Sequence, residues 1–319
     1  MDISRRNFLR LAAVAGGTAL VARGNDAHAE EGKRGGGYGA LVDLSLCDGC
    51  RKCELACNQA NALPPPARSF EDMRVLETPR RPTAGAFTVV NKHNIAGVGK
   101  PVFVKTQCMH CNDPACVSAC IVGALTREPS GAVVYDKDKC LGCRYCMVAC
   151  PFQIPAYEYR DALAPRVRKC TFCFEKITRE GGAPACAKMC PREAIEFGPR
   201  EAVLVLAQDR IANAGTRYRK HGPYVNRVYG DREVGGTAWM YISPVPFEQL
   251  GFLALPDDAP PRLTEAIQHS IFKSFVPPLA VYSVLGVIMH LFRERGQGEN
   301  DGPPPDGGGP AAEERTETL

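Results

Sequence analysis

The chain has 319 residues, 45% of them hydrophobic, which is enough for one large domain or two small ones with a buried core. Its net charge of +4 is small, and no dense run of Lys and Arg alternates with aromatic residues, so we expect no nucleic-acid partner. The outstanding feature is the content of 16 cysteines. In an exported protein so many cysteines indicate disulfides and in a cytosolic protein they indicate metal, so the compartment matters.

The N-terminus has the features of an export signal over residues 1–29. An arginine pair lies in the string S-R-R-N-F-L-R at 4–10, an apolar run covers 11–22, and A-H-A at 27–29 is a small-x-small cleavage site. The string resembles the S-R-R-x-F-L-K pattern of twin-arginine signals, with Arg10 in place of lysine. That pathway exports folded proteins, so metal centres inserted in the reducing cytoplasm are compatible with export. The alternatives are an ordinary secretory signal and a short anchor that is not cleaved.

All the cysteines fall in four blocks. The third block, C-L-G-C-R-Y-C-M-V-A-C-P at 140–151, has the C-x2-C-x2-C-x3-C-P spacing of bacterial iron–sulfur ferredoxins. The first three of its thiolates can bind one [4Fe–4S] cluster, and the fourth binds a different cluster. The block therefore needs a second cysteine block nearby to complete both sites. The first block, 47–57, repeats this spacing without the proline, and the blocks at 108–120 and 170–190 are spaced x2-x4-x3 and x2-x12-x3. Sixteen thiolates at four per cube predict four [4Fe–4S] clusters.

Blocks two and three form one uninterrupted unit, so they are expected to exchange fourth ligands, and blocks one and four then pair across it. Two other interpretations of the cysteines are weaker. Zinc would prefer pairs of C-x2-C over three cysteines followed by a fourth, and a disulfide framework would not repeat the x2-x2-x3 spacing.

The segments between the blocks predict a mixed fold. Strands are expected in 40–44, 102–104 and 194–197, a hairpin in 124–127 and 132–135, a loop with a short helix in 174–185, and a helix in 201–212. The segment after block one, up to about Gly99, and the Tyr-, Gly- and Pro-rich segment 215–255 are expected to be irregular.

The last apolar run, 274–292, is long enough to span a bilayer, and Arg293 and Arg295 place its end in the cytoplasm by the positive-inside rule. A buried amphipathic helix is the alternative. The predicted organisation is listed in chain order: signal 1–29, first block with its insertion 30–100, inner two-cluster unit 101–160, fourth block 161–200, extension 201–270, membrane helix 274–292, and disordered cytoplasmic tail 293–319.

The cysteine pattern resembles that of the four-cluster iron–sulfur subunits of membrane-bound respiratory oxidoreductases. These include the subunits of formate dehydrogenase and of dimethyl sulfoxide or polysulfide reductases. The signal, the C-terminal span and the strings Q-C-M-H-C and G-G-T near Gly235 are most similar to the iron–sulfur subunit of hydrogenase-2-type [NiFe] hydrogenases. The resemblance implies an α+β fold, a duplicated two-cluster ferredoxin-like unit with a C-terminal transmembrane helix. One departure is Ile121, where proline usually follows the last cysteine of block two.

The resemblance also implies how the cysteines group. The implied ligand sets are Cys47, Cys50, Cys53 and Cys190 for cluster 1; Cys57, Cys170, Cys173 and Cys186 for cluster 2; Cys108, Cys111, Cys116 and Cys150 for cluster 3; and Cys120, Cys140, Cys143 and Cys146 for cluster 4.

The function implied is electron transfer without catalysis, at the periplasmic face of the inner membrane. The implied partners are the large and small subunits of a [NiFe] hydrogenase, a polytopic quinone-reactive membrane subunit and membrane lipid. A molybdopterin oxidoreductase or a multihaem cytochrome is the alternative partner, and a freely diffusing ferredoxin-like shuttle is the alternative role.

Other residues near the cysteines are less informative. His110 is expected to lie beside a cluster and not to bind it. Four apolar residues either shield the clusters from water or are ordinary core: Ile121, Phe152, Ile154 and Phe172. Four basic residues are expected to be solvated surface groups, with the alternative that they offset the negative charge of the thiolate-bound clusters: Arg144, Arg168, Lys169 and Lys188.

Overall fold

The computed structural model describes residues 36–159, 166–218, 223–262, 279 and 281–292. The chain divides into two units, Met1–Leu263 and Thr264–Leu319. The described part of the second unit contains a helix over 281–292.

The first unit mixes short strands and short helices. The strands are β1 (Tyr38–Asp43), β2 (Thr88–His93), β3 (Val102–Gln107), β4 (Leu125–Arg127), β5 (Val133–Tyr135), β6 (Ala156–Tyr157), β7 (Val167–Arg168), β8 (Ile195–Pro199) and β9 (Trp239–Ile242). The α-helices are α1 (Lys52–Ala60), α2 (Ala115–Ser118), α3 (Tyr145–Ala149), α4 (Phe174–Glu180), α5 (Ala185–Lys188) and α6 (Arg200–Ala212). The part of the unit that the structure describes also contains three 3-10 helices, over Met73–Glu77, Glu233–Gly235 and Phe247–Leu250.

A three-stranded sheet with the order β8-β1-β9 organises the unit. β1 is antiparallel to β8, with Ala40 opposite Phe197, and parallel to β9, with Ala40 opposite Trp239. Both faces of β1 are covered, which explains its run of apolar residues without alternation. Leu41 packs with α6, and Ala40 belongs to the larger core that contains Trp239 and Phe172.

Three two-stranded antiparallel ladders complete the strands: β2 with β3, β4 with β5, and β6 with β7. The β4–β5 hairpin lies between blocks two and three, as the sequence predicts, and Leu125 pairs with Tyr135. The helices that carry the cysteines pack in two pairs, α1 against α5 and α2 against α3. Block one therefore meets block four and block two meets block three, which gives the unit its duplicated appearance.

Two expectations of irregular structure are wrong. The insertion after block one contains the 3-10 helix Met73–Glu77 and the strand β2, and the segment 215–255 contributes β9 to the sheet. β9 is fully buried, so this segment belongs to the core of the unit. The first half of β2 (Thr88, Val89 and Val90) and most of β9 are β-branched or aromatic residues, which favour strands, but the surrounding Gly and Pro residues obscure this signal.

Among the described residues, no helix has both the length and the apolar character needed to cross a membrane. The predicted span 274–292 lies partly outside those residues. The predicted signal 1–29 and tail 293–319 lie wholly outside them.

Candidate metal centres

The cysteine loops share one backbone feature. In each block the residue before the second cysteine has a left-handed conformation, with φ values of 73° at Gly49, 49° at His110, 74° at Gly142 and 57° at Phe172. Such a residue reverses the loop so that the thiols on either side of it face a common space. A side chain at Gly49 would collide with the ring of Phe103, so glycine is required there.

The structure places the thiols of blocks one and four around two small cavities. The first cavity is lined by Cys47, Cys50, Cys53 and Cys190. The second is lined by Cys57, Cys170, Cys173 and Cys186. Each cavity thus combines cysteines that are far apart in sequence, in the sets that the family resemblance implies.

The thiols of blocks two and three also form two groups. Burial raises the pKa of Cys111 well above its usual value, and the adjacent thiols of Cys108, Cys116 and Cys150 raise it further. These four are the set expected for cluster 3.

In the other group, burial raises the pKa of Cys146 to about 11, together with the nearby thiols of Cys120, Cys140 and Cys143. These four are the set expected for cluster 4. The structure therefore brings together each predicted group, and the assignment of the cysteines as ligands stays a prediction.

The donor chemistry of these groups suits iron–sulfur clusters. All sixteen thiols are free, and they supply the soft anionic ligands that such clusters require. Burial also raises the pKa of Cys170 to about 12, so without a bound cation this thiol keeps its proton at neutral pH. Binding of iron therefore has to release protons. Among the described residues, no group of three or more His, Cys, Asp or Glu is arranged to hold a single metal ion.

A buried cation that the sequence analysis missed supports this fit. Lys105 on β3 is 2% exposed and lines both of the cavities formed by blocks one and four. A buried ammonium is costly unless negative charge lies close to it, and thiolates bound to metal provide that charge. No sequence pattern indicates this role, because Lys105 precedes block two but lines the cavities formed by blocks one and four.

Lys169 corrects a prediction. Instead of being solvated it is buried, and its ammonium donates hydrogen bonds to the carbonyl oxygens of Val133 and Cys170. The other three basic residues are exposed or half-buried, and Arg168 pairs with Glu158 at 3.1 Å. Lys169 therefore joins Lys105 as a second cation inside the cysteine-rich core.

His110 and Phe172 pack against each other between blocks two and four. Their ring centroids are 4.9 Å apart, and both residues are buried. The backbone N–H of Val133 donates to His110 Nδ1 at 2.9 Å. Burial, together with the nearby charge of Lys169, lowers the pKa of His110 well below its usual value, so the ring is neutral.

The four apolar residues near the cysteines have different environments. Phe172 and Ile154 are buried and Phe152 is half-buried, whereas Ile121 is 81% exposed. Ile121 is therefore neither core nor a shield against water in this chain.

Block one is anchored by a buried ion network that the sequence analysis also missed. Arg51, between the second and third cysteines, forms an ion pair with Glu54 at 2.9 Å. Arg80 forms a second ion pair with the same carboxylate at 2.5 Å. Arg51 also donates to the carbonyl oxygens of Ser69, Phe70 and Asp72. The network fixes the insertion onto the first cysteine loop.

Comparison with known families supports the same chemistry. Two families, each described as a 4Fe-4S dicluster domain, match residues 46–124 and 100–200. Hydrogenase-2 operon protein HybA of Escherichia coli O157:H7 is 34% identical over 316 residues, which cover 90% of this chain and 95% of that protein.

The chain belongs to the 4Fe-4S dicluster family of iron–sulfur proteins. A further member is the iron–sulfur subunit of the nitrate-inducible formate dehydrogenase of Escherichia coli K12, 34% identical over 78% of this chain and 83% of the subunit. A protein of Nitratidesulfovibrio vulgaris strain Hildenborough is 48% identical over 80% of this chain and 70% of its own length. With two dicluster domains and 16 cysteines, this member of the family holds four [4Fe–4S] clusters.

Proposed function

We propose that the chain is a non-catalytic electron-transfer subunit of a membrane-bound oxidoreductase. The observation that carries the proposal is the arrangement of sixteen free thiols in four groups within a chain of the dicluster family. When bound, each cluster accepts and releases one electron at a time. The protein's own residues supply the ligands, bury the sites and place positive charge beside them.

The four thiol groups are proposed as the four ligand sets. Blocks one and four hold clusters 1 and 2 through Cys190 and Cys57, and blocks two and three hold clusters 3 and 4 through Cys150 and Cys120. In each case the fourth cysteine of a block binds the cluster of its partner block, and the packing of α1 on α5 and of α2 on α3 supports this exchange.

A [NiFe] hydrogenase is the proposed catalytic partner, with its large and small subunits on one side and a polytopic quinone-reactive subunit on the other. Support comes from the extent of the similarity: the match to HybA covers 95% of that protein, against 83% for the formate dehydrogenase subunit. A molybdopterin enzyme of the formate dehydrogenase type is the second candidate, because its iron–sulfur subunit has the same 34% identity.

The proposed location is the periplasmic face of the inner membrane. The support is the twin-arginine pattern at 4–10, the apolar run 274–292 and the arginines that follow it. In the described helix over 281–292 the side chains are almost entirely apolar, as expected of a segment in contact with lipid.

An exposed apolar surface favours a docked subunit over a free shuttle. Cys143 of the fourth thiol group is exposed, and so are large apolar side chains in block three and directly after block two. These are Ile121 (81%), Leu141 (69%), Tyr145 (59%) and Val148 (80%). Large apolar side chains left exposed in this way support a contact surface for another protein.

The first test is chemical analysis of the full-length protein purified without oxygen. Iron and acid-labile sulfide are expected at about 16 each per chain. About eight of each, or a preparation that contains only zinc, contradicts the four-cluster assignment.

The second test separates a docked subunit from a shuttle. Deletion of residues 271–319 is expected to abolish quinone-coupled turnover in membranes, whereas deletion of 296–319 alone, which keeps the apolar run, leaves it intact. A shuttle retains turnover in both. Purification of the intact complex followed by hydrogen- and formate-dependent reduction assays then distinguishes the two catalytic partners.

A further inference from the structure

Lys105 is held rigidly inside the protein. Its ammonium donates a hydrogen bond to Gln107 Oε1 at 2.8 Å and lies 4.2 Å from the centroid of the Trp239 ring. Gln107 in turn donates to the Tyr241 hydroxyl at 2.6 Å, and that hydroxyl donates to the carbonyl oxygen of Lys105 at 2.9 Å. With these contacts fixed, the charge has one defined position.

That position is between the first two thiol groups. Lys105 is the one residue that lines both the cavity of Cys47, Cys50, Cys53 and Cys190 and the cavity of Cys57, Cys170, Cys173 and Cys186. The two cavities share no other lining residue among those described. A single charge is therefore adjacent to two proposed cluster sites at once.

The negative charge that balances Lys105 would come from the thiol groups once they bind metal as thiolates. Cys53 lines one of the two cavities beside Lys105, and Cys170 and Cys186 line the other. The ammonium therefore has ligand groups of both sets on either side of it.

We propose that Lys105 is a shared electrostatic control residue, which raises the reduction potentials of clusters 1 and 2 together and leaves clusters 3 and 4 largely unaffected. One-electron reduction adds one negative charge to a cluster, and a fixed buried cation stabilises that charge. Because the site is buried, water and salt screen the interaction little. The proposal rests on the electron-transfer function and on the ligand sets given above.

The shared position has a consequence for electron transfer. A cation that raises two neighbouring potentials together changes the difference between them little. It therefore favours reduction of the pair of clusters without adding an energetic step between them.

The test is a redox titration of the full-length holoprotein, followed by electron paramagnetic resonance. Lys105→Met removes the charge and keeps most of the apolar stem, and Lys105→Arg retains the charge. We expect Lys105→Met to shift two of the four midpoint potentials to lower values, and Lys105→Arg to restore them most of the way. Lys188→Met is the matched control, because Lys188 is an exposed lysine in block four and its loss is expected to shift no potential.

Gln107→Glu gives a second, independent reading, because it keeps Lys105 and places a carboxylate beside the ammonium. It is expected to lower the same two potentials. If Lys105→Met loses iron, the redox titration of Gln107→Glu decides the proposal. Unchanged potentials in a Gln107→Glu or Lys105→Met protein with full iron content overturn the proposal, as does an equal shift of all four. Low iron in the wild-type protein would instead refute the underlying four-cluster function.

Discussion

Glu54 lies at the centre of the buried ion network beside block one, and its neutralisation is expected to destabilise the protein strongly. Its carboxylate accepts hydrogen bonds from Arg51, from Arg80 and from the backbone N–H of Val90 at 2.7 Å. The side chains of Glu54 and Arg51 are 4% and 2% exposed. Glu54→Gln preserves the shape of the side chain, so it removes the charge without creating a cavity.

The expected loss of unfolding free energy in Glu54→Gln depends on how well water and other protein groups solvate each arginine. Loss of one partner of a buried ion pair costs roughly 3–5 kcal/mol of unfolding free energy. Arg80 is 25% exposed, so water screens part of its charge, and Arg51 keeps three backbone carbonyl partners. The lower end, about 3 kcal/mol, is therefore expected.

The assay is thermal unfolding of the anaerobic holoprotein, followed by far-UV circular dichroism and by the visible absorbance of the clusters. For a unit of 150–250 residues, about 3 kcal/mol lowers the midpoint by roughly 6–12 °C. All proteins are scanned at one rate, because loss of clusters makes unfolding irreversible. Glu71→Gln is the control: Glu71 is exposed in the same insertion, and its change is expected to stay within about 0.5 kcal/mol. A midpoint for Glu54→Gln equal to that of this control would refute the reasoning.

Three further outcomes are expected. Cys150→Ser is expected to alter the magnetic resonance signal of the cluster held mainly by block two, whereas a change confined to the block-three cluster contradicts the exchange of ligands. Burial raises the pKa of Tyr241 to about 12, so above pH 10 the unfolded chain releases a proton that the folded protein retains. Stability therefore falls as the pH rises from about 10 to 12. Tyr241→Phe is expected to make the denaturation midpoint less dependent on pH in that range. If the midpoint of the variant changes with pH as steeply as that of the wild type, burial does not raise the pKa of Tyr241. Replacing Arg5 and Arg6 by lysine is expected to leave the protein in the cytoplasm in cell fractionation, and normal export of that variant would rule out the twin-arginine pathway.

The sequence predicts most of what is local in this protein. The short loops within a block determine their own geometry, so the spacing indicates that the closely spaced thiols of one block face a common space, whereas the fourth ligand of each set is implied by the family resemblance. The sequence also predicts the strand β1, the hairpin of β4 and β5, and helix α6 near their observed bounds, because in each of them consecutive residues favour that secondary structure.

Features that depend on distant contacts were not predicted. β9 is only four residues long and gains its stability from parallel pairing with β1, about two hundred residues earlier in the chain. Lys105 lies in a short strand whose apolar residues suggest ordinary core, and only the packing of blocks one and four around it reveals its electrostatic role. Lys169 was expected in solvent because charged residues usually are, yet the carbonyl oxygens of Val133 and Cys170 satisfy its buried ammonium.

The order of strands β8-β1-β9 imposes an order of assembly. β1 emerges first from the ribosome, but both of its partners are among the last segments of the unit to be synthesised. The sheet, and the two cavities that need block four, are therefore completed only when nearly the whole unit is available. The cysteines of blocks two and three, in contrast, all lie within one stretch of the chain, so their sites can form while the outer pair is still open. The inner two sites can therefore be filled with clusters before the chain closes around them.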